Sequence, residues 1–121
     1  MNDYTLGAVE SKFADIIWSN APIKSGDIVK ICEQKLNWKK PTTYTVLRKL
    51  CEKGFFVNES GTVKVVITRE EYYADQSGRF VAESFKGSLP AFIAAFISNK
   101  TLSSAEADEI QRMIDEYRKG V

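Results

Sequence analysis

Apolar residues recur at helical spacing in three segments of the first half of the chain. The segments cover about 8–19, about 25–36 and about 41–53. Within each segment, apolar positions three and four residues apart fall on one side of a helix. Asn20-Ala21-Pro22 interrupts the pattern after the first segment, and Gly54 follows the third, where a glycine can close a helix. The pattern therefore predicts three short amphipathic helices.

The apolar pattern changes period after Gly54. Two runs rich in β-branched and aromatic residues, 55–58 and 63–67, flank the polar stretch Glu59-Ser60-Gly61-Thr62. Short runs of this kind around a glycine-containing turn are typical of an antiparallel hairpin. We therefore expect a hairpin directly after the third helix.

Helical spacing returns from Arg69 to the end of the chain. Gly87-Ser88 and Pro90 interrupt it, and a capping box at Ser103-Ser104-Ala105-Glu106 opens a last helix. The segment 89–97 is apolar nearly all round, so it must be buried on most sides. We expect a second copy of the chain to cover it, with an ordinary core helix as the alternative. The expected dimer-interface residues are Phe80, Phe85, Leu89, Phe92, Ile93, Phe96, Ile97, Ile110, Ile114 and Tyr117.

The order of these elements predicts a mainly α chain with a small antiparallel β-hairpin. Three helices followed by a hairpin are the order of a winged helix-turn-helix, in which the third helix enters the DNA major groove and the hairpin, or wing, lies against the backbone. We place this DNA-binding domain at residues 1–71 and a helical dimerisation region at residues 72–121.

The third helix offers a polar face suited to DNA. The net charge of the chain is only +1, but basic residues concentrate between 38 and 53. Cations and hydroxyl groups on an exposed helix face can contact phosphates and base edges. Solvated charges on an amphipathic helix are the alternative interpretation. The candidate DNA-binding residues are Lys39, Lys40, Thr42, Thr43, Tyr44, Thr45, Arg48 and Lys49 on the helix and Lys64 in the wing, with Lys53 as a further phosphate contact.

Catalytic and metal centres are not expected. The chain has no histidine, and it has no glycine-rich phosphate loop or nucleophile elbow. Cys32 and Cys51 fall on apolar stripes and are expected to be buried free thiols. We therefore expect neither an enzyme nor a cofactor nor a bound metal. No signal peptide is recognisable and the longest apolar stretch is too short to span a bilayer, which predicts a cytoplasmic protein without a membrane partner.

Residues spread from 6 to about 119 keep the spacing of a known family. They are Glu10, Ile16-Ile17-Trp18, Ile28-Val29, Trp38, Thr42, Thr45, Leu47, Leu50, Lys53-Gly54, Phe80, Phe85, Gly87-Ser88-Leu89, Phe96, Leu102-Ser103 and Glu106. In these positions the chain resembles the penicillinase and methicillin-resistance repressors, the BlaI/MecI/CopY group. The resemblance implies a homodimeric transcriptional repressor of a resistance or stress operon, bound to a dyad-symmetric operator. It also implies a sensor protease as a partner, which in the antibiotic-responsive branch triggers cleavage within the C-terminal helices.

The chain departs from that family at informative positions. Pro41 and Tyr44 stand where the penicillinase branch has a lysine and a glutamine, so only Thr42 and Thr45 carry over as DNA contacts. The cleaved bond of that branch aligns with Ala95-Phe96, where the phenylalanine matches and the asparagine does not. The paired C-terminal cysteines of the copper-responsive branch do not occur, which excludes copper sensing by that mechanism.

Two other functions stay open for a winged helix of this kind. The domain could bind a protein rather than DNA, in which case exposed apolar residues are expected on the third helix. A regulator that responds to a small molecule would need a ligand pocket, and no polar cluster in the sequence demands one. The hydroxyl and cationic residues of the third helix favour DNA.

Overall fold

The structure, a computed structural model, describes residues 5–120 and is mainly helical with one small antiparallel sheet, as the sequence predicts. The elements in chain order are α1 (Ala8–Asn20), β1 (Ile23–Lys24), α2 (Ser25–Leu36), α3 (Lys40–Glu52), β2 (Phe56–Glu59), β3 (Thr62–Val65), α4 (Arg69–Ser84), α5 (Leu89–Asn99) and α6 (Ser104–Lys119). The described chain divides into two compact units, the first ending at Ser77 and the second beginning at Gly78.

Local sequence explains where the first three helices begin and end. Ala21 turns to an extended conformation after α1, before Pro22. Asn37 ends α2 in the left-handed conformation, with φ 55°. Pro41 lies in the first turn of α3, where its missing N–H leaves no helical bond unmade. Gly54 follows α3 with φ +92°, a backbone conformation that residues other than glycine rarely adopt. The chain can therefore turn sharply into β2.

The sheet has the strand order β1-β3-β2, with both pairs antiparallel. Val57 of β2 lies opposite Lys64 of β3 in the predicted hairpin. Its turn places Ser60 and Gly61 at positive φ, and the amide of Gly61 donates to the side-chain oxygen of Asn58 at 2.9 Å. Strand β1 was not predicted, because two residues are too few to show an alternating pattern.

The core lies in the first unit, where α1, α2, α3 and the hairpin pack together. Its largest fully buried side chains are Phe13, Phe55, Phe56, Ile17, Ile28, Leu50, Val63, Thr43 and Cys32. Trp38, in the segment between α2 and α3, packs against this core and stacks on Phe13 of α1 with ring centroids 5.6 Å apart. Val9, an apolar residue in the first turn of α1, is 55% exposed.

The first unit extends into α4 through Tyr72. This side chain is buried, packs edge-on against Phe55 with centroids 5.5 Å apart, and its hydroxyl accepts a hydrogen bond from the amide of Leu6 at 3.0 Å. Tyr72 thereby joins the start of the chain to the helix that follows the wing. The functional division between residues 71 and 72 stays a prediction.

The second unit contains the predicted C-terminal helices. Ser88 caps α5 by accepting from the amide of Ala91 at 3.1 Å, and the predicted capping box of Ser103 and Glu106 opens α6. No residue of α5 or α6 is buried in the described chain. Within residues 5–120 no single helix is long and apolar enough to cross a membrane, and only α4 and α5 together, as a bent pair, meet that test of length and composition.

Candidate nucleic-acid interface

Helix α3 divides into a buried side and an exposed side. Thr43, Leu47 and Leu50 are buried in the core of the first unit. The exposed side presents hydroxyl groups, cations and one carboxylate. Its residues are Pro41, Thr42, Thr45, Arg48, Lys49 and Glu52. The core therefore holds the helix while its polar side stays accessible to a large ligand.

Thr43 does not belong to the accessible face, so its prediction as a DNA contact is wrong. Its side chain is fully buried, and its hydroxyl lies 3.4 Å from the carbonyl oxygen of Lys39 and contacts the thiol of Cys32. The helical period already places Thr43 on the same side as Leu47 and Leu50, which was the signal that could have excluded it.

Tyr44 lies at the edge of the exposed face and connects it to α2. The ring is half-buried, its hydroxyl is 3.2 Å from the hydroxyl of Ser25, and the ammonium nitrogen of Lys40 lies 6.0 Å from the ring centroid. Lys39 and Lys40 are exposed at the start of α3. The phenol oxygen of Tyr44 is therefore already engaged with Ser25.

Thr45 and Arg48 occupy the middle of the exposed face. Thr45 is exposed, and its hydroxyl donates to the carbonyl oxygen of Pro41 at 2.9 Å. Arg48 is exposed. With Tyr44, Cys51 and Asn58 it lines a cleft of about 340 Å³ between α3 and the wing. This side of the face offers donors, an acceptor and a methyl group, the groups that contact base edges.

Lys49 on the other edge of α3 and Lys53 directly after the helix both approach Glu10 of α1. The ammonium nitrogens of Lys49 and Lys53 each lie 3.4 Å from a carboxylate oxygen of Glu10. The hydrogen bond from the Gly7 amide, followed by Lys53 and Lys49, holds the pKa of Glu10 below its usual value although burial opposes the shift. Lys53 also donates to the carbonyl oxygen of Thr5 and is only 24% exposed, whereas Lys49 is 61% exposed.

Lys64 projects from the wing beside an acid. Its ammonium nitrogen is 2.8 Å from a carboxylate oxygen of Glu59 on the neighbouring strand, and both side chains are more than half exposed. An exposed pair of this kind is weak, so the lysine can exchange its partner for a phosphate at small cost.

The cysteines have the environment of structural thiols. Cys32 is buried and Cys51 is half-buried, and burial raises the pKa of both. Across residues 5–120, no group of three or more histidine, cysteine, aspartate or glutamate side chains is arranged to hold a metal ion.

The predicted interface residues of the second unit are accessible. Phe92 packs edge-on against Phe80 and Phe85 at 5.8 and 5.5 Å between ring centroids, whereas Phe96 is 42% exposed. An apolar groove of about 670 Å³ runs between α5 and α6, lined mainly by Leu89, Phe92, Ile93, Phe96, Ile97, Leu102, Ile110 and Ile114. Ala95 and Phe96, the residues of the aligned cleavage bond, are both exposed in the middle of α5.

Three helices, a wing and an accessible face of hydroxyls and cations on the third helix define a winged-helix DNA-binding protein. Comparison with known proteins narrows this class: the family model described as penicillinase repressor matches residues 6–116. The penicillinase repressor of Bacillus licheniformis is 25% identical over 113 residues, which cover 90% of this chain and 88% of that protein. The chain belongs to the penicillinase repressor family, a family of DNA-binding transcriptional repressors rather than enzymes.

Proposed function

We propose that the chain represses transcription as a cytoplasmic homodimer on a dyad-symmetric operator, with α3 of each protomer in the major groove. The observation that carries this proposal is the division of α3 into a buried side and an accessible polar side. A protein-binding winged helix is expected to expose apolar residues there, and the exposed residues of α3 are instead hydroxyls, charges and one proline.

The proposed contacts fall into two groups. Thr42, Thr45 and Arg48 contact base edges, since their hydroxyls, methyls and guanidinium match groups in the major groove. Lysines around them contact phosphates and fix the register of the helix on the duplex. The proposed phosphate contacts are Lys39, Lys40, Lys49 and, from the wing, Lys64. Tyr44, at the edge of the same face, is a further proposed DNA contact.

The second unit supports pairing of two protomers. Helices α5 and α6 bury none of their side chains within the described chain, although α5 is apolar nearly all round. An exposed apolar surface of this extent favours association, and a two-fold pair is the commonest closed arrangement. Two protomers present two recognition helices to half-sites about one helical turn apart, which fits an inverted-repeat operator.

The proposed release from the operator depends on the apolar surface of α5 and α6. Cleavage at Ala95-Phe96 by a sensor protease divides α5 and separates its apolar residues from α6, so the protomers lose part of their shared interface. Phe96 matches the phenylalanine of the cleaved bond in the antibiotic-responsive branch, whereas Ala95 stands where that branch has an asparagine. The target is proposed to be a resistance or stress operon.

Selection of bound duplexes from a randomised DNA pool tests the proposal and identifies the operator. We expect the chain to enrich an inverted repeat, and Arg48→Ala or Lys49→Ala to weaken binding to it without changing the oligomeric state. Failure to enrich any sequence at low salt would contradict DNA binding, and enrichment of a single half-site by a monomer would contradict the proposed dimer.

A further inference from the structure

The carboxylate of Glu10 connects the start of α1 to the DNA-facing helix. Its Oε1 accepts a hydrogen bond from the amide of Gly7 at 3.0 Å and lies 3.4 Å from the ammonium nitrogen of Lys53. Its Oε2 lies 3.4 Å from the ammonium nitrogen of Lys49. The two oxygens therefore have different tasks: one caps α1 and holds Lys53, and the other faces Lys49.

Lys49 is the partner that can leave. Its side chain is 61% exposed, whereas that of Glu10 is 17% exposed. The Oε2 atom of Glu10 is buried and, among residues 5–120, accepts no hydrogen bond. A buried carboxylate oxygen without a donor is unfavourable, so the ammonium group of Lys49 is its counter-ion. A phosphate that approaches this edge of α3 competes with that oxygen for the ammonium group of Lys49.

We propose that Glu10 is a positioning residue that holds Lys49 against α1, so that DNA phosphates compete with it and both the affinity for DNA and its salt dependence are lowered. This inference rests on the proposed function, since Lys49 acts here as a phosphate contact. Each lysine that neutralises a phosphate releases about one cation from the duplex. When Lys49 moves to a phosphate, the carboxylate left behind attracts a cation from solution, which offsets that release.

Glu10→Gln isolates the charge of this residue from its capping role. A glutamine at this position still accepts the hydrogen bond from the Gly7 amide, because capping boxes take either side chain. Glu71→Gln is the matched control: Glu71 holds the same position in the capping box of α4, where its carboxylate accepts from the amide of Thr68 at 2.9 Å. In the described part of the chain Glu71 forms no ion pair with a lysine or arginine.

The measurement is fluorescence anisotropy with the duplex that the wild-type chain selects from a randomised pool, repeated over a series of salt concentrations. Glu10→Gln is expected to bind about two- to fivefold more tightly per protomer, the range of an exposed ion pair. Its salt slope is expected to be steeper by about one unit per protomer. Glu71→Gln is expected to match the wild-type chain. In a Lys49→Ala background, Glu10→Gln is expected to have no effect.

Two results would overturn the proposal. One is a Glu10→Gln variant with the affinity and slope of the wild-type chain, and the other is a gain that persists in the Lys49→Ala background. Glu10→Asp is a second test that keeps the charge and withdraws it from Lys49, and it is expected to give a smaller gain of the same sign. A wild-type chain that enriches no sequence and binds no duplex at low salt contradicts the proposed function itself, and this inference with it.

Discussion

The indole nitrogen of Trp18 donates a hydrogen bond to the carbonyl oxygen of Ile67 at 2.9 Å. Trp18 lies on α1 and Ile67 lies between β3 and α4, so one side chain joins the first helix to the segment that leaves the wing. Arg69, two residues later, stacks over the same indole at 5.7 Å and reaches Asp15 of α1 at 3.1 Å. The exit of the wing is therefore held by α1.

Trp18→Phe tests the contribution of that hydrogen bond. The phenylalanine keeps an aromatic ring in the core and removes the donor, so the carbonyl oxygen of Ile67 loses a partner. We expect the free energy of unfolding to fall by about 1–2 kcal/mol, measured by urea denaturation. Trp38→Phe is the control, because the ring of Trp38 stacks on Phe13 and the substitution changes the ring size in the same way. Equal losses in the two variants would show that ring size, and not the hydrogen bond, accounts for the effect.

Adjacent threonines on α3 separate DNA contact from folding. Thr43→Val changes a buried side chain, and we expect a change of about 1 kcal/mol in the free energy of unfolding with unchanged DNA affinity. Thr42→Val changes an exposed side chain, and we expect the reverse: weaker DNA binding and unchanged stability. Gel-shift titration and thermal unfolding of both variants check this pair. A loss of affinity in folded Thr43→Val alone would restore Thr43 as a DNA contact.

Arg48→Ala tests base recognition. Removal of an arginine that contacts a base edge is expected to cost about 1–3 kcal/mol of binding free energy and to relax sequence preference at one position. The affinities of the selected duplex and of its single-base variants give both quantities. A uniform loss across all duplexes would assign Arg48 to a phosphate instead.

Phe96→Asp tests the proposed dimer surface. A carboxylate placed in the groove between α5 and α6 is costly to bury, so we expect sedimentation velocity to show monomers. The control is Val9→Asp, which introduces the same charge at an exposed apolar residue of the first unit and is expected to leave the dimer intact. Dimers of unchanged stability in Phe96→Asp would move the interface away from α5.

The stability of the fold is expected to depend on pH through Glu10. The hydrogen bond from the Gly7 amide, followed by the charges of Lys53 and Lys49, lowers the pKa of Glu10 in the folded chain. This contribution is complete above the pKa of the unfolded chain, about 4.5, and is lost as the pH falls through the lower folded value. The difference in unfolding free energy between wild type and Glu10→Gln should therefore be constant near neutral pH and shrink below about pH 4.5. Parallel curves in acid would refute this dependence.

The spacing of apolar residues predicted the helices and the hairpin of this fold. It did not predict the features that depend on contacts between segments far apart in the chain. Helices α1 to α3 and the hairpin follow from apolar spacing and turn residues, whereas β1 exists only because Ile23 pairs with Val63 on the central strand. Residue type favoured Thr43 as a DNA contact, although its helical position buries it. The contact between Glu10 and Lys53 joins positions 43 residues apart, which no local pattern encodes.

The exposed apolar surfaces of α5 and α6 affect how repression responds to the concentration of the protein. Under the proposed pairing, association of protomers and occupancy of DNA are linked by mass action. When protomers are dilute relative to the dissociation constant of the pair, the concentration of pairs rises with the square of the protomer concentration. Loss of a fraction of the chains then empties the operator more than in proportion, so limited degradation is enough to switch transcription on.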